Sequence, residues 1–280
     1  DFDQLIQDTI GRPQSYETTK AAVDMLRAAG ITSLNVDILY GLPHQTIERI
    51  SDSVQLLMSL SPDRVALFGY AHVPWMAKRQ SMIPTDTLPR PEERLELYET
   101  ARRLFLWDGY EEIGIDHFAR PEDALALAQK NGTMRRNFQG YTEDKSEVLI
   151  GVGASAISKY PQGFAQNDAA TSGYQAKVRD GQLATKRGHA FTEDDILRGR
   201  IIETLMCDFE TDFDAVAAEL GVAPARLLAM AEGVEEAFPE MVVWRDHTLH
   251  IKPEGRPLTR MIAKHFDAYE MAQSGHSTAI

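Results

Sequence analysis

Polar side chains that can bind or react are concentrated in three short segments of this 280-residue chain. The segment GIDHFARP (114–121) leads from a strand-like start into aspartate, histidine and arginine. RNFQGYT (136–142) places arginine, asparagine and glutamine beside two aromatic rings, and NVDILYGLP (35–43) carries a carboxylate within an apolar run. Such mixtures suit a ligand-binding site better than a plain hydrophobic core, so these segments are the candidate functional regions.

Asp37 is the strongest single signal. Strand alternation puts Asn35, Asp37 and Leu39 on one face, while Val36 and Ile38 lie on the other. The apolar face is expected to pack against helices, and the polar face is expected to line a cavity or barrel lumen. An ionised carboxylate in a buried strand is costly unless it is paired. The sequence leaves open a structural ion pair, a hydrogen-bonded acid, or a contact with a ligand's ribose hydroxyls or amino group.

The histidines and the lone cysteine do not form a recognisable metal site. His117 and His72 have no second ligand at a typical spacing, so we predict no metal ligands in this chain. Asp116 is not expected to pair with His117, because neighbours on a strand point to opposite faces. Cys207 is expected to be a buried, inert thiol, and the absence of a second cysteine fits a reducing cytosol.

Strand and helix signals alternate in the first part of the chain, which favours a parallel sheet or barrel. Small residues at the end of the second strand, Gly69 and Ala71, leave room for a ligand. Small residues after Gly151 are expected to let the backbone approach a ligand closely. The predicted strands are 31–40, 64–72, 110–118 and 147–158; the predicted helices are 16–30, 48–60 and 93–107, and 168–187 is helical or loop-like.

The pattern changes near residue 190, where we place a domain boundary between 1–190 and 191–280. The second part shows three helical stretches, a hairpin over 241–251 and a last helix over 257–271. Three helices and a hairpin predict a small, mostly helical domain of the winged-helix type. The fold class is therefore α/β, followed by this smaller domain.

Charge and hydropathy exclude two classes of partner. The net charge is −13, with 29 basic residues against 42 acidic ones, which argues against nucleic-acid binding. No apolar run reaches the length of roughly 18 residues that a membrane span needs. We therefore expect a cytoplasmic protein without a nucleic-acid or membrane partner.

The three segments together resemble the oxygen-independent coproporphyrinogen III oxidases, which are radical S-adenosylmethionine (SAM) enzymes. The resemblance implies the C-terminal part of a partial (β/α)6 barrel with its extension. It also implies SAM-radical oxidative decarboxylation of two propionates of coproporphyrinogen III to vinyl groups, giving protoporphyrinogen IX in heme biosynthesis. The cofactors implied are SAM and a 4Fe-4S cluster, with an electron donor and acceptor of unknown identity and a monomeric full-length enzyme.

The cluster motif of that family, C-x-x-x-C-x-x-C, is absent from this chain, which has one cysteine. The cluster ligands are therefore expected upstream, and the chain is expected to be inactive by itself. No catalytic residue is assigned. By resemblance, the SAM-binding residues are Arg12, Asp37, Leu39, Ala71, Phe138, Gln139 and Ile157, with Leu39 standing where a relative can carry isoleucine.

Arg120, Arg135 and Arg136 are the candidates for binding the substrate's propionates, although the last two could equally form a solvated helix end. Three other functions stay open at this point. A radical-SAM-like heme chaperone shares the strand that ends in Gly41, but typically lacks segments like 116–119 and 137–142. A winged-helix regulator and a degenerate relative without radical chemistry are the remaining alternatives.

Overall fold

The computed structural model describes residues 1–75 and 77–269. The chain packs into two compact units. The first comprises Asp1–Thr133 with Glu254–Arg260, and the second comprises Met134–Pro253 with Met261–Ala268. The predicted boundary near residue 190 does not coincide with this division and stays a prediction.

The first unit is an α/β structure whose helices begin at recognisable caps. Ser15 accepts a hydrogen bond from the Thr18 N–H at the start of the second helix, as its sequence predicts. The elements are α1 (Gln4–Ile10), α2 (Tyr16–Ala28), β1 (Asn35–Tyr40), α3 (Ile47–Met58), β2 (Arg64–Gly69), α4 (Pro91–Trp107), β3 (Glu111–Ile113), β4 (His117–Ala119) and α5 (Ala124–Lys130).

These strands form one sheet in the order β1-β2-β4-β3. β1 and β2 are parallel, as predicted, but β4 runs antiparallel to both β2 and β3. The prediction of a single strand over 110–118 is wrong, because a turn interrupts it at Gly114, whose φ of 55° is left-handed. The result is a hairpin that brings the middle of the GIDHFARP segment into a turn.

The core of this unit lies between the sheet and the helices α3 and α4. Ile38 from β1 and Leu67 from β2 pack there, as the apolar alternation predicts. Phe105 and Phe118 lie in the same cluster with ring centroids 4.9 Å apart, and both are fully buried. This core fixes the orientation of β1 and β2, and hence which of their side chains face away from the helices.

The second unit is built of short strands and helices. They are β5 (Arg135–Asn137), β6 (Gly140–Thr142), β7 (Ile157–Tyr160), β8 (Gly163–Asn167), α6 (Thr171–Arg179), β9 (Thr185–Ala190), α7 (Glu193–Asp208), β10 (Glu210–Asp212), α8 (Phe213–Leu220), α9 (Pro224–Met230), α10 (Val234–Ala237), β11 (Val242–Arg245) and β12 (Thr248–Ile251). The prediction of one strand over 147–158 is wrong. Between residues 147 and 156 there is a single β-bridge at Leu149, and the strand itself, β7, begins at Ile157.

The part after α7 confirms the winged-helix-like prediction. Helix α7 leads into β10, then α8 and α9, and the chain returns through the hairpin β11–β12. The sheet order β10-β12-β11 is that of a winged helix, and Phe213 and Leu249 fill its core. The last helix, α11 (Thr259–His265), is shorter than predicted, and the final predicted residues of that helix, 270 and 271, lie outside the described residues.

Candidate functional site

The first candidate region is the face of the β1–β2 sheet that points away from helices α3 and α4. Directly paired residues share a face, so Asp37 of β1, Ala66 of β2 and His117 of β4 form one row. Leu39 pairs with Phe68 in the next row, and the His117 ring contacts Phe68 with centroids 5.7 Å apart. The sheet therefore aligns His117 with the strand face that carries Asp37.

Asp37 is exposed, so the expectation of a carboxylate buried within the strand is wrong. Its Oδ1 accepts a hydrogen bond of 2.8 Å from the side chain of Asn35, its neighbour on the same face. The reason is that β1 is the outer strand of this sheet, and its polar face is not covered by the elements that bury Ile38. The carboxylate remains available as a hydrogen-bond acceptor.

The loop after β1 is held by Gln45, a residue that the sequence analysis missed. Its Oε1 accepts from the Gly41 N–H at 2.7 Å and the Leu42 N–H at 3.3 Å, while its Nε2 donates to the Leu39 carbonyl at 3.1 Å. Gln45 is buried, and Gly41 has a φ of 80° that favours glycine. This arrangement fixes the carboxyl end of β1.

Arg94 of α4 reaches the carboxyl ends of both parallel strands. It donates to the Tyr70 carbonyl at 2.9 Å, and its guanidinium lies 5.9 Å from the centre of the Tyr40 ring. A Cβ on Gly69 would approach Arg94 to 3.2 Å and the Tyr40 hydroxyl to 3.0 Å. The small residue therefore leaves room for the chain's own arginine and tyrosine at this strand end.

Ala71 and Arg12 complete the predicted residues of the first unit. Ala71 is exposed just beyond β2, where its carbonyl accepts a hydrogen bond of 3.1 Å from Gln80. Arg12 is exposed after Gly11, the residue that ends α1. Asp37 and Leu39 thus share one face of β1, whereas no hydrogen bond or ion pair joins Arg12 to them among the described residues.

His117 is paired with Asp116, so the expectation that these neighbours do not interact is wrong. Nδ1 of His117 lies 2.6 Å from Oδ1 of Asp116, and Oδ2 of Asp116 accepts from Arg260 at 2.6 Å. The strand rule does not apply, because Asp116 belongs to the turn before β4. The carboxylate is buried between a histidine and an arginine that lie 143 positions apart in the sequence.

The second candidate region is the hairpin of β5 and β6, whose tip carries Phe138 and Gln139. Asn137 accepts a hydrogen bond of 2.8 Å from the Gln139 N–H through its side-chain oxygen, which forms the turn. The Phe138 ring is 45% exposed and packs edge-on against Phe164 with centroids 4.8 Å apart. Gln139 is exposed at the tip.

Ile157 begins β7 and is half-buried. A Cβ on Gly151 would come within 2.6 Å of the Ile157 backbone, so the close approach predicted for this glycine is to the chain itself. Asn167 donates to the carbonyls of Gly151 and Gly153, at 3.2 and 3.0 Å. The glycine-containing loop is thus fixed against the start of β7.

The three arginines predicted to bind propionates have different surroundings. Arg120 forms an ion pair of 2.9 Å with Asp108 and stacks 4.0 Å from the Tyr110 ring centre. Arg135 lies 3.4 Å from the Glu203 carboxylate. Arg136 covers the Tyr141 ring at 5.6 Å, and its buried Nε has no hydrogen-bond partner among the described residues.

The cysteine behaves as the sequence predicts. Burial raises the pKa of the Cys207 thiol to about 12, and the side chain is 1% exposed. The described residues hold no cluster of histidine, cysteine or carboxylate side chains that could bind a metal ion. No helix among them is long and apolar enough to cross a membrane.

Known proteins are similar to this chain over its whole length. An oxygen-independent coproporphyrinogen III oxidase of Paracoccus denitrificans is 61% identical over 280 residues, covering 100% of the chain and 62% of that relative. One from Cereibacter sphaeroides is 54% identical over 96% of the chain and 60% of its own length. The chain matches the oxygen-independent coproporphyrinogen III oxidases. The resemblance seen in the sequence is therefore confirmed.

A solved structure, coproporphyrinogen III oxidase (HemN) from Escherichia coli, described as a radical SAM enzyme, matches with a TM-score of 0.90. It is 35% identical, and the match covers 96% of the chain and 63% of that structure. No protein-family model matches the chain. The chain spans about three-fifths of the length of these oxidases, and its mixed α/β fold is that of the corresponding part of the E. coli enzyme.

Proposed function

We propose that this chain supplies part of the SAM-binding and substrate-binding surface of an oxygen-independent coproporphyrinogen III oxidase. The observation that carries the proposal is the 61% identity to such an oxidase over the entire chain. In this role the protein belongs to heme biosynthesis and oxidatively decarboxylates coproporphyrinogen III. Its electron donor and acceptor stay unassigned.

The residues of the first unit suit the ribose part of SAM. Asp37 is exposed and its Oδ2 has no recorded partner among the described residues, so it can accept hydrogen bonds from hydroxyl groups. Leu39 lies two residues further on the same face and offers an apolar contact. When bound and reduced by one electron from the cluster, SAM would supply the radical chemistry, and these side chains would hold and orient it.

In the second unit, the exposed Phe138 ring offers a flat apolar surface beside the amide of Gln139. An amide can both donate and accept hydrogen bonds, so Gln139 suits a polar ligand that packs on the ring. Ile157 adds an apolar contact on β7. These three residues are proposed to bind a second SAM molecule.

The residues present do not fit a 4Fe-4S cluster. Such a cluster needs several thiolates, whereas Cys207 is the only cysteine and its raised pKa keeps it protonated. The described residues therefore assign no step to this chain that involves the cluster. We propose that the cluster ligands lie elsewhere in the protein that carries this chain.

The complete coding sequence around these residues provides the test. We expect it to contain C-x-x-x-C-x-x-C upstream of Asp1 and its anaerobically purified product to release carbon dioxide from coproporphyrinogen III only when SAM is present. A product that binds heme stoichiometrically and releases no carbon dioxide would support the heme chaperone instead. A coding sequence without the motif would contradict the oxidase.

A further inference from the structure

A small cavity with apolar walls and two arginines lies at the carboxyl ends of β1 and β2, within the first unit. Its walls include Tyr40 at the end of β1, Gly69 at the end of β2 and Tyr98 of α4. The carboxyl ends of parallel strands are where α/β proteins bind their ligands. The cavity volume is about 60 Å³, which is room for roughly four water-sized groups.

Two arginines that the sequence analysis did not assign contribute to this cavity. Arg256 and Arg260 both line it, and Asp116 is the single acidic residue among the lining residues. Arg94 lies against the same strand ends, close to Gly69. The charges at the cavity are therefore predominantly positive, in a chain whose net charge is −13.

Asp116 orients the Arg260 guanidinium but uses only one of its nitrogen atoms. Its Nη2 donates to Asp116 at 2.6 Å, and this is the single recorded hydrogen bond of its guanidinium to the described residues. The side chain is 48% exposed, whereas that of Asp116 is 10% exposed. A planar guanidinium fixed at one nitrogen keeps further N–H groups for a second carboxylate.

We propose that this cavity is a carboxylate-binding subsite that uses Arg260 and Arg256. Tyr40 and Tyr98, with ring centroids 5.5 Å apart, form apolar walls beside the arginines, as a short aliphatic arm ending in a carboxylate requires. A propionate of coproporphyrinogen has this chemistry and about this size. This assignment rests on the proposed function; the carboxylate of SAM is the other source of the same group.

The test uses the protein expressed from the complete coding sequence, with Arg260→Gln as the main variant. Binding of coproporphyrin III, which is a tetracarboxylate, is compared with binding of its tetramethyl ester in the same detergent, and SAM binding is measured by equilibrium dialysis. We expect Arg260→Gln to weaken coproporphyrin III binding by about tenfold while binding of the ester is unchanged. Arg260→Lys should retain part of the affinity, because it keeps the charge.

Arg103→Gln is the matched control, because Arg103 is exposed on α4 and does not line the cavity. It should leave all three affinities unchanged. Arg256→Gln removes the other arginine of the cavity. If Arg260→Gln does not fold, Arg256→Gln is used in the same binding measurements. Weakened SAM binding with unchanged porphyrin binding would support the subsite and assign it to SAM.

Equal affinities of wild type and variant for every ligand would overturn the subsite and leave a cavity that holds water. Equal weakening of the acid and the ester would overturn it too, because the effect would then not depend on the carboxylates. Failure of the proposed oxidase function would give a different result from failure of the subsite. In that case the wild-type protein would release no carbon dioxide from coproporphyrinogen III, whatever the effect of Arg260→Gln on binding.

Discussion

The two regions proposed to bind SAM are supported in different ways. In the first unit, Asp37 and Leu39 project from a strand whose opposite face packs into a continuous core with α3 and α4. In the second unit, Phe138 and Gln139 occupy the tip of a hairpin of two three-residue strands. That tip is held by the Asn137 side-chain oxygen, which accepts a hydrogen bond from the Gln139 N–H, and by the edge-on contact of Phe138 with Phe164.

This difference implies different responses to substitution. A strand that is fixed by a core presents its residues rigidly, and its geometry fails only when the core fails. A hairpin tip that depends on a few contacts can lose its geometry while the unit remains folded. Matched substitutions in the two regions therefore test this contrast.

Phe118→Ala should destabilise the first unit by about 3–5 kcal/mol, because the ring is fully buried in the core beneath the sheet face. Phe164→Ala, in the half-buried group of edge-on aromatic rings of the second unit, should cost only about 1–2 kcal/mol. Hydrogen exchange, read peptide by peptide, measures each unit separately. Trp107→Ala is the control, since that ring is 92% exposed and its loss should leave exchange unchanged. Equal protection losses for the two phenylalanine variants would contradict the contrast.

Gln45→Ala should destabilise the carboxyl end of β1 by about 1–3 kcal/mol. It leaves the Gly41 N–H and the Leu39 carbonyl without their buried partner. Gln139→Ala, which removes the same side chain at the exposed tip, should leave stability unchanged and weaken SAM binding. Denaturant unfolding and equilibrium dialysis measure the two effects. A stable Gln45→Ala protein with ordinary SAM affinity would show that this loop does not depend on Gln45.

The sequence predicts much of the first region, because its strands follow simple rules. Alternation along β1 correctly separates the apolar face from the face of Asp37 and Leu39, and Ser15 correctly marks the start of α2. Exposure of Asp37 does not follow from alternation, since it depends on which elements cover the polar face. Strand periodicity assigns faces and leaves open what lies opposite them.

The wrong predictions from the sequence concern turns and contacts between residues that are distant along the chain. The turn at Gly114 lies inside a strand-like pattern, so the hairpin and the Asp116–His117 pair were missed. Arg260 is 144 residues from the carboxylate that it contacts. Pattern analysis covers neighbours along the chain, and such a contact exists only after folding. The roles of Phe138 and Gln139 rest on family resemblance, because two three-residue strands have too little periodicity to analyse.

Asn137→Ala should loosen the hairpin tip at a cost of about 1 kcal/mol, because the Gln139 N–H loses its acceptor. Asn137→Asp keeps an acceptor oxygen at the same position and should retain the turn. The readout is hydrogen exchange of the peptide that contains Phe138, together with the affinity for SAM. The idea fails if the alanine and aspartate variants have the same exchange rates, because the side-chain acceptor would then not hold the tip.

Cys207 gives the smallest effect, and it is visible only at alkaline pH. Burial raises the pKa of this thiol to about 12 in the folded protein, whereas an unfolded thiol ionises near pH 8.5. The folded state therefore retains a proton that the unfolded state releases, and the associated stability is complete below about pH 8.5 and lost as the pH rises toward 12. Cys207→Ala lacks this term, so its unfolding free energy should fall less steeply, by about 0.7 kcal/mol between pH 8 and pH 9. Denaturant unfolding at both pH values measures the difference. Parallel pH profiles for wild type and variant would mean that the thiol ionises as readily in the folded protein as in the unfolded chain.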